Sequence, residues 1–463
     1  MSNDKTLAVN QAYDGAFMVE LELQDWKTVD AMLATATRLH RDQAQWLPPH
    51  QRREILQKLI GLMKAEVEDF AVLIAREGGK PLTDARIEVL RAINGVELAI
   101  EELGHLAGQQ IPMDLTAAGA GRTAFTIRKP IGVVVAVSAF NHPLNLIVHQ
   151  VVPAIATGCP VIVKPAEPTP LCCMRFVELV HQAGLPAEWC QTCNCEIPVA
   201  EKLVTDPRVG FFTFIGSARV GWSLRSKLAA GTRCALEHGG VAPVIVAADA
   251  DLETMVPLLV KGGYYHAGQV CVSVQRIFVH NSLKADLVAA LKTQVAALVV
   301  GDPTEAKTEV GPLIRPGEVD RVEEWVQEAI AAGAECVVGG KRVSGYVYAP
   351  TLVVDPPHYC RVSTEEVFGP VVNVYGYDDE ADAVAQANSL SVSFQAAVFT
   401  RDTNRAMRLT RQLDAAAVMV NDHTAFRVDW MPFAGHRTSG LGIGGIPYTM
   451  ADMAPEKLVV IKE

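Results

Sequence analysis

Four short clusters carry residue types that do chemistry. Cys271 closes Gly268-Gln269-Val270-Cys271, and a thiol so placed is either packed core or, once ionised, a nucleophile. Glu237 opens Glu237-His238-Gly239-Gly240, 34 residues upstream, as a turn carboxylate or an acid–base group. Asn141 lies in Ala139-Phe140-Asn141-His142-Pro143, where an asparagine before a helix ordinarily caps it. Glu366 and Phe368 lie in Glu365-Glu366-Val367-Phe368-Gly369-Pro370, which alone reads as a solvated acidic turn. Singly, none of the four decides a function.

The elements that must position them follow from periodicity. Residues 28–110 read as helical, with Leu56, Leu59, Ile60 and Met63, then Leu90, Ile93, Val96 and Ile100, at three-and-four spacing. Thr123–Arg128 alternates like an exposed strand, ended by Lys129-Pro130. From Gly132 the texture becomes α/β. The valine-rich run 133–137 predicts a strand buried on both faces, and a helix follows over 143–156. A strand at 161–163 carries Lys164 at its tip, and a helix covers 170–183. Further strands fall at 211–214 and 244–246, with a helix over 218–230 between them. Such alternation builds a parallel sheet whose ligands bind at the carboxyl ends of the strands. It restarts near residue 250 (helix 252–265, strand 276–280, helix 283–298) and continues to about 435, which predicts a second α/β domain. Lys457–Lys462 is a lone apolar strand that needs a partner edge, either 123–128 or another subunit.

Composition removes several function classes. A length of 463 residues suits two or three domains, and 49% hydrophobic residues suffice for large cores. With 41 basic against 52 acidic residues the net charge is −11, and no basic block stands out. Nucleic acid and anionic membranes are therefore poor partners. The first forty residues lack a targeting pattern and no long apolar run occurs, so a cytoplasmic protein is expected. Ten cysteines in 463 residues are far below the density of disulfide scaffolds. Cys190, Cys193 and Cys195 have no second Cys pair after them, so no metal is expected.

Together, the clusters are decisive. Asn141, Lys164-Pro-Ala-Glu167, Gly216-Ser217, Glu237-x-Gly-Gly, Gly268-Gln-x-Cys271, Glu366-x-Phe-Gly-Pro and Pro432-Phe-x-Gly resemble the aldehyde dehydrogenase superfamily, in order and over nearly the whole chain. The resemblance implies an α/β fold with three parts. Residues 1–114 and 132–239 would form a Rossmann-like NAD-binding domain, and 240–446 the catalytic domain. Residues 115–131 and 447–463 would form a small β oligomerisation unit of a homodimer or homotetramer.

It also implies roles. An aldehyde cannot release hydride directly, so Cys271 would first make it tetrahedral. The Asn141 amide and the Cys271 backbone N–H would hold the oxyanion. Glu237 would activate the water that hydrolyses the thioester, and its presence favours a free acid over a CoA ester. Lys164 and Glu167 would bind the adenine ribose, and a carboxylate there favours NAD over NADP. Gly216-Ser217, opening a helix, would take the pyrophosphate. Glu366 would hold the nicotinamide ribose, with Phe368 near the ring.

Three departures stand out. Cys190–Pro198 replaces a Gly-rich segment, His238 replaces the usual Leu, and the short N-terminus predicts reduced early strand structure. The helix after Asn141 would line the aldehyde pocket with His142, Asn145 and His149 rather than aromatics. A small hydroxylated or anionic aldehyde is expected, as in the lactaldehyde, non-phosphorylating glyceraldehyde-3-phosphate and phosphonoacetaldehyde branch. Arg427 would pair with a substrate anion or, alternatively, with Asp429 or another carboxylate. The competing functions are CoA-dependent acylation, which product analysis with and without CoA distinguishes, and a non-catalytic protein keeping the fold.

Overall fold

The computed structural model describes residues 5–462; Met1–Asp4 and Glu463, which the expected domain ranges include, lie outside the described residues. The N-terminus is not stripped of strands: β1 (Thr6–Asn10) and β2 (Phe17–Glu22) form an antiparallel hairpin. Four helices follow, α1 (Trp26–Arg41), α2 (Pro49–Ala65), α3 (Val67–Gly78) and α4 (Leu82–Glu102). The Asp25 carboxylate caps α1 by accepting from the Thr28 N–H at 2.9 Å. Pro49 opens α2, where a missing N–H costs nothing. The buried stripe of α4 is Ala85, Val89, Ala92, Ile93, Val96 and Ala99; Ile93 and Val96 are buried as expected, Ile100 is half-buried and Leu90 faces solvent.

β3 (Gln110–Ile111) and β4 (Arg122–Arg128) precede the first parallel sheet. Its strands are β5 (Val133–Val137), β6 (Val161–Lys164), β7 (Cys190–Thr192), β8 (Val209–Ile215) and β9 (Arg233–Glu237). Crossovers run through α5 (Asn145–Thr157), α6 (Leu171–Gln182), α7 (Ile197–Val204) and α8 (Ala218–Arg225). The strand order is β9-β8-β5-β6-β7, all parallel. Cys190–Thr192, at the start of the segment that stands in for the Gly-rich one, is thus a sheet strand too short to show a period.

The second sheet holds β10 (Ala242–Val246), β11 (Val274–His280), β12 (Glu335–Val338), β13 (Thr351–Val354) and β14 (Val371–Tyr377). After a two-residue strand β15 (Val392–Ser393) it adds β16 (Gln395–Phe399) and β17 (Ala417–Val420). Its order is β12-β13-β14-β11-β10-β16-β17, parallel except for β12. Helices α9 (Leu252–Tyr264), α10 (Asn281–Ala297) and α11 (Pro316–Ala331) cover it with three others, α12 (Arg361–Thr364), α13 (Glu380–Ala387) and α14 (Thr403–Gln412). A valine-rich core including Val244, Val274, Val279, Val372 and Val374 lies between these layers.

The tail crosses back to the first half. β18 (His436–Arg437) pairs with β15, and β19 (Gly440–Leu441), inside the range expected for the catalytic unit, joins the first sheet antiparallel to β9. α15 (Ile446–Met453) buries Ile446, Met450 and Met453 in the first core. β20 (Glu456–Lys462) then pairs antiparallel with β4, Glu456 opposite Arg128 and Lys462 opposite Arg122. β3 lies on the far edge of β4. Among the described residues no helix is long and apolar enough to cross a membrane.

Candidate active site

The first sheet presents its carboxyl ends and the second its amino ends to one cavity of about 720 Å³. Asn141 follows β5, Gly216 and Ser217 follow β8, and Glu237 ends β9; Cys271 precedes β11 and Glu366 precedes β14. All six line the cavity, as do His142, Asn145, Phe368 and Arg427. Lys164 and Glu167 do not, although Ala166 between them does. Lys164 is largely buried at the end of β6, its Nζ donating to the Pro165 carbonyl at 3.3 Å, and Glu167 is exposed in the following turn.

Backbone strain and side-chain hydrogen bonds set the nucleophile loop. His266 and Ala267 adopt left-handed φ values of 49° and 54°, a costly conformation for residues with a Cβ, and Gly268 continues it at 70°. A Cβ at Gly268 would stand 2.1 Å from the Gly369 carbonyl, so only glycine lets the two motif loops pack together. Gln269 fixes the bend: its amide donates to His266 O at 3.3 Å and Pro312 O at 3.1 Å, and accepts from the Ile314 N–H at 2.9 Å. Asn141 Nδ2 donates to the Gln269 carbonyl at 2.9 Å, which locks the amide beside the loop. Burial pushes the Cys271 thiol well up, and the Glu237 and Glu366 carboxylates push the same way against Arg427. A resting thiol that needs a base follows.

The four residues of the base motif divide the work around it. Burial raises the Glu237 carboxyl, opposed by Arg427. The His238 ring bonds to Gly216 O at 2.8 Å. Gly239 leaves room for Glu366, whose Oε1 would stand 1.7 Å from a Cβ there. Gly240 N–H donates to the Cys271 carbonyl at 3.1 Å. Burial pushes Glu366 up to about 8 against Arg321 and the Gly240 N–H. Phe368, at φ 44°, meets Phe140 edge-on at 5.8 Å.

Two arginines of the lining, Arg91 and Arg427, lie near the carboxylate of Asp429. Asp429 accepts from Arg91 Nε at 3.0 Å and Nη2 at 2.7 Å, from Asn145 Nδ2 at 3.2 Å and from His149 Nε2 at 2.8 Å. Burial alone would raise its carboxyl, but the bond and charge of His149, with Arg91, hold it far below the carboxylate range. Asn145 and His149 therefore share one helical face, as expected, but both are tied to Asp429, and His149 lies outside the cavity lining. Arg427 lies over the Phe433 ring at 3.5 Å, with Nη1 3.9 Å from Glu237 and Nε 4.0 Å from Asp429. His142 stands 3.3 Å from the Tyr265 hydroxyl, and burial with the nearby Lys80 and Arg91 charges keeps its ring neutral.

The profile of the Aldehyde dehydrogenase family matches residues 1–459, which leaves almost none of the chain outside it. The chain belongs to the aldehyde dehydrogenase family. This dehydrogenase is 40% identical over 415 residues to the 3-sulfolactaldehyde dehydrogenase of Priestia megaterium, covering 89% of this chain and 86% of the relative. Its fold is similar to that of aldehyde dehydrogenase 21 from Physcomitrella patens, solved with the reaction product succinate: TM-score 0.96, 34% identity, over 100% of this chain and 96% of that one. It is also similar to the glyceraldehyde-3-phosphate dehydrogenase GapN of Methanocaldococcus jannaschii, complexed with NADP: TM-score 0.94, 31% identity, over 100% of both chains. The enzyme is an NAD(P)-dependent oxidoreductase acting on aldehydes.

A dinucleotide fits the residues present in this aldehyde dehydrogenase. Glu366 Oε1 is a buried acceptor without a partner, as a ribose hydroxyl would require. Ser217 makes no side-chain cap bond to α8, leaving the first-turn N–H groups for an anion.

Sequence reasoning missed several residues that support the aldehyde dehydrogenase site. Glu88 accepts from the Leu144 and Asn145 N–H groups at 3.0 and 3.1 Å, and so caps α5 just after Asn141. It forms a fully buried ion pair with Lys80. The available signal was charge on the apolar stripe of α4, where Asp84 and Glu88 are both buried. Arg91 and Tyr265 had no such signal, and Asp429 was read only as a partner of Arg427, without Arg91, Asn145 and His149.

Proposed function

We propose that this enzyme oxidises a small anionic aldehyde to its carboxylic acid with NAD, through a thioester on Cys271. The observation that carries the substrate class is the Arg427 guanidinium. Its side chain is only 9% exposed, its Nε has no hydrogen-bond acceptor, and the two carboxylates near it stand at 3.9 and 4.0 Å. A buried cation without a close partner is costly, and a substrate anion in the cavity relieves that cost. Arg91, already held by Asp429, and His142 with Tyr265 complete a polar wall. The relatives point the same way: sulfolactaldehyde, succinate and glyceraldehyde 3-phosphate are all anions at neutral pH.

In this reading Cys271 gives its proton to water in the cavity, and the sulfur adds to the aldehyde carbon. The Asn141 amide and the Cys271 N–H stabilise the oxyanion. The dinucleotide, when bound, supplies the hydride acceptor. Glu366 and the Gly216–Ser217 turn hold it, and Glu167 at the adenine ribose disfavours a 2′-phosphate. The thioester then remains on Cys271 until Glu237 directs water to it.

The test is a steady-state panel of three-carbon aldehydes carrying sulfonate, phosphonate, carboxylate or hydroxyl groups, with NAD and NADP. The anionic members with NAD have the highest kcat/KM. Arg427→Gln raises KM for them by about 10- to 100-fold, the worth of a hydrogen bond to a charged group. KM for the hydroxyl analogue changes far less. Equal losses across the panel would remove the anion assignment.

We further propose a homo-oligomer in the reducing cytoplasm. All ten cysteines are free. Among the described residues β20 pairs on one edge only, and it exposes Leu458, Val460 and Ile461, roughly half of each side chain. Such an edge invites a second copy. Deleting residues 457–463 shifts the protein to monomers or aggregates in light scattering; an intact chain running as a 49.9 kDa monomer at micromolar concentration contradicts the assembly.

A further inference from the structure

The Gly216–Ser217 turn is held by more than its own backbone. Parallel pairing of β8 with β9 ends at Ile215 opposite Glu237. One residue on, the Gly216 N–H donates to the Glu237 carbonyl at 3.0 Å. On its other side, the Gly216 carbonyl lies 2.8 Å from His238 Nδ1. A carbonyl only accepts, so Nδ1 carries the proton and donates. Residues 237 and 238 therefore grip both polar groups of Gly216, and the imidazole extends the ladder past the point where backbone alone would stop.

The ring has a seat built for it. His238 is 2% exposed. It packs against Phe214 at 5.8 Å and Trp222 at 6.0 Å. A Cβ on Gly221 would stand 2.0 Å from His238 Cε1 and 2.6 Å from Nε2. Glycine at the first turn of α8 thus lets the helix settle onto the ring. Nε2 has no partner, so the Nδ1 bond is the one polar interaction that fixes the imidazole. The same histidine sits next to the base, yet its hydrogen bond goes to the turn.

We propose that His238 is a positioning residue for the dinucleotide. Through the Gly216 carbonyl it fixes the turn that opens α8, and with it the direction of the N–H groups that meet the pyrophosphate. Gly221 is the second half of the device, because it admits the ring. The inference rests on the dinucleotide reading of the Gly216–Ser217 turn.

Three variants test it by isothermal titration calorimetry with NAD and NADP, together with hydrogen exchange over residues 215–221. His238→Leu keeps most of the volume and removes the donor. His238→Asn places an amide nitrogen where Nδ1 stood. Gly221→Ala displaces the ring without touching its chemistry. His238→Leu and Gly221→Ala weaken the dinucleotide about five- to tenfold, the worth of one buried hydrogen bond, and exchange across the turn accelerates. His238→Asn stays within about twofold of the parent. Unchanged affinity in His238→Leu overturns the proposal, as does equal weakening in His238→Asn. Failure of the parent to bind either dinucleotide overturns the cofactor reading itself, and is seen before any variant is made.

Discussion

Cys271→Ala loses aldehyde oxidation and ester hydrolysis together, by on the order of 10⁵-fold, because both need the same sulfur. The loss reflects position as much as element. The thiol sits in a loop in which His266, Ala267 and Gly268 hold left-handed φ values, pinned by Gln269 against the Pro312–Ile314 segment. That strain persists because surrounding contacts over-determine it. Dinucleotide affinity should stay near the parent value, since Gly216, Ser217 and Glu366 are untouched. A variant that keeps turnover within about tenfold removes Cys271 from the chemistry, because loss of a nucleophile costs far more. Single-turnover measurement with saturating cofactor is the decisive form, as it excludes slow product release.

The residues that do chemistry were legible because their types are dictated and their neighbours are local. A thiol after Gly268-Gln269, a carboxylate before Gly239-Gly240 and an amide before α5 each sit in a contiguous motif, and the structure lines one cavity with all three. The sheet strands 133–137 and 161–164 were legible for a related reason: burial on both faces leaves continuous valine runs. What stayed hidden was held together over long sequence separations. Asp429 meets Arg91 across 338 residues and Asn145 across 284. In sequence it is only one acid near Arg427, and the reading that paired those two missed its shorter partners. Asn145 and His149 were correctly placed on one face, but nothing local says that the face points at a buried carboxylate. Glu88 drew no role from the sequence although it caps the helix that follows Asn141. β19 and β7 have two and three residues, too few for any period to register.

Electrostatics ties these hidden residues to the legible ones. Asp429 draws Arg91, Asn145 and His149 to itself, so Arg427 is left without a hydrogen-bonded carboxylate and leans toward Glu237 at 3.9 Å. One cation then serves two purposes: it opposes the burial that raises the Glu237 carboxyl and, on the proposed reading, faces the substrate anion. Arg427→Gln should therefore change the pH profile as well as KM. Removing a positive charge beside a carboxylate disfavours its ionised form, so the acid limb of the profile moves to higher pH.

Glu237→Gln slows hydrolysis of the thioester more than its formation. The glutamine keeps the shape and the β9 register but cannot accept a proton, and general-base assistance is worth about 10²- to 10⁴-fold. Mixing variant enzyme with NAD and aldehyde should give a burst of NADH equal to the active sites, then a steady state slower than the parent by that factor. On the proposed reading, hydrolysis in the parent needs Glu237 ionised. Its carboxyl is raised above the ordinary 4.5 by burial, so the rate falls as pH drops through a value above 4.5, and this limb is absent from the variant. Loss of the burst would move Glu237 to an earlier step, where the resting Cys271 thiol, itself raised by burial, depends on the same carboxylate to lose its proton. A burst of full amplitude followed by parent-like turnover would assign hydrolysis to another base.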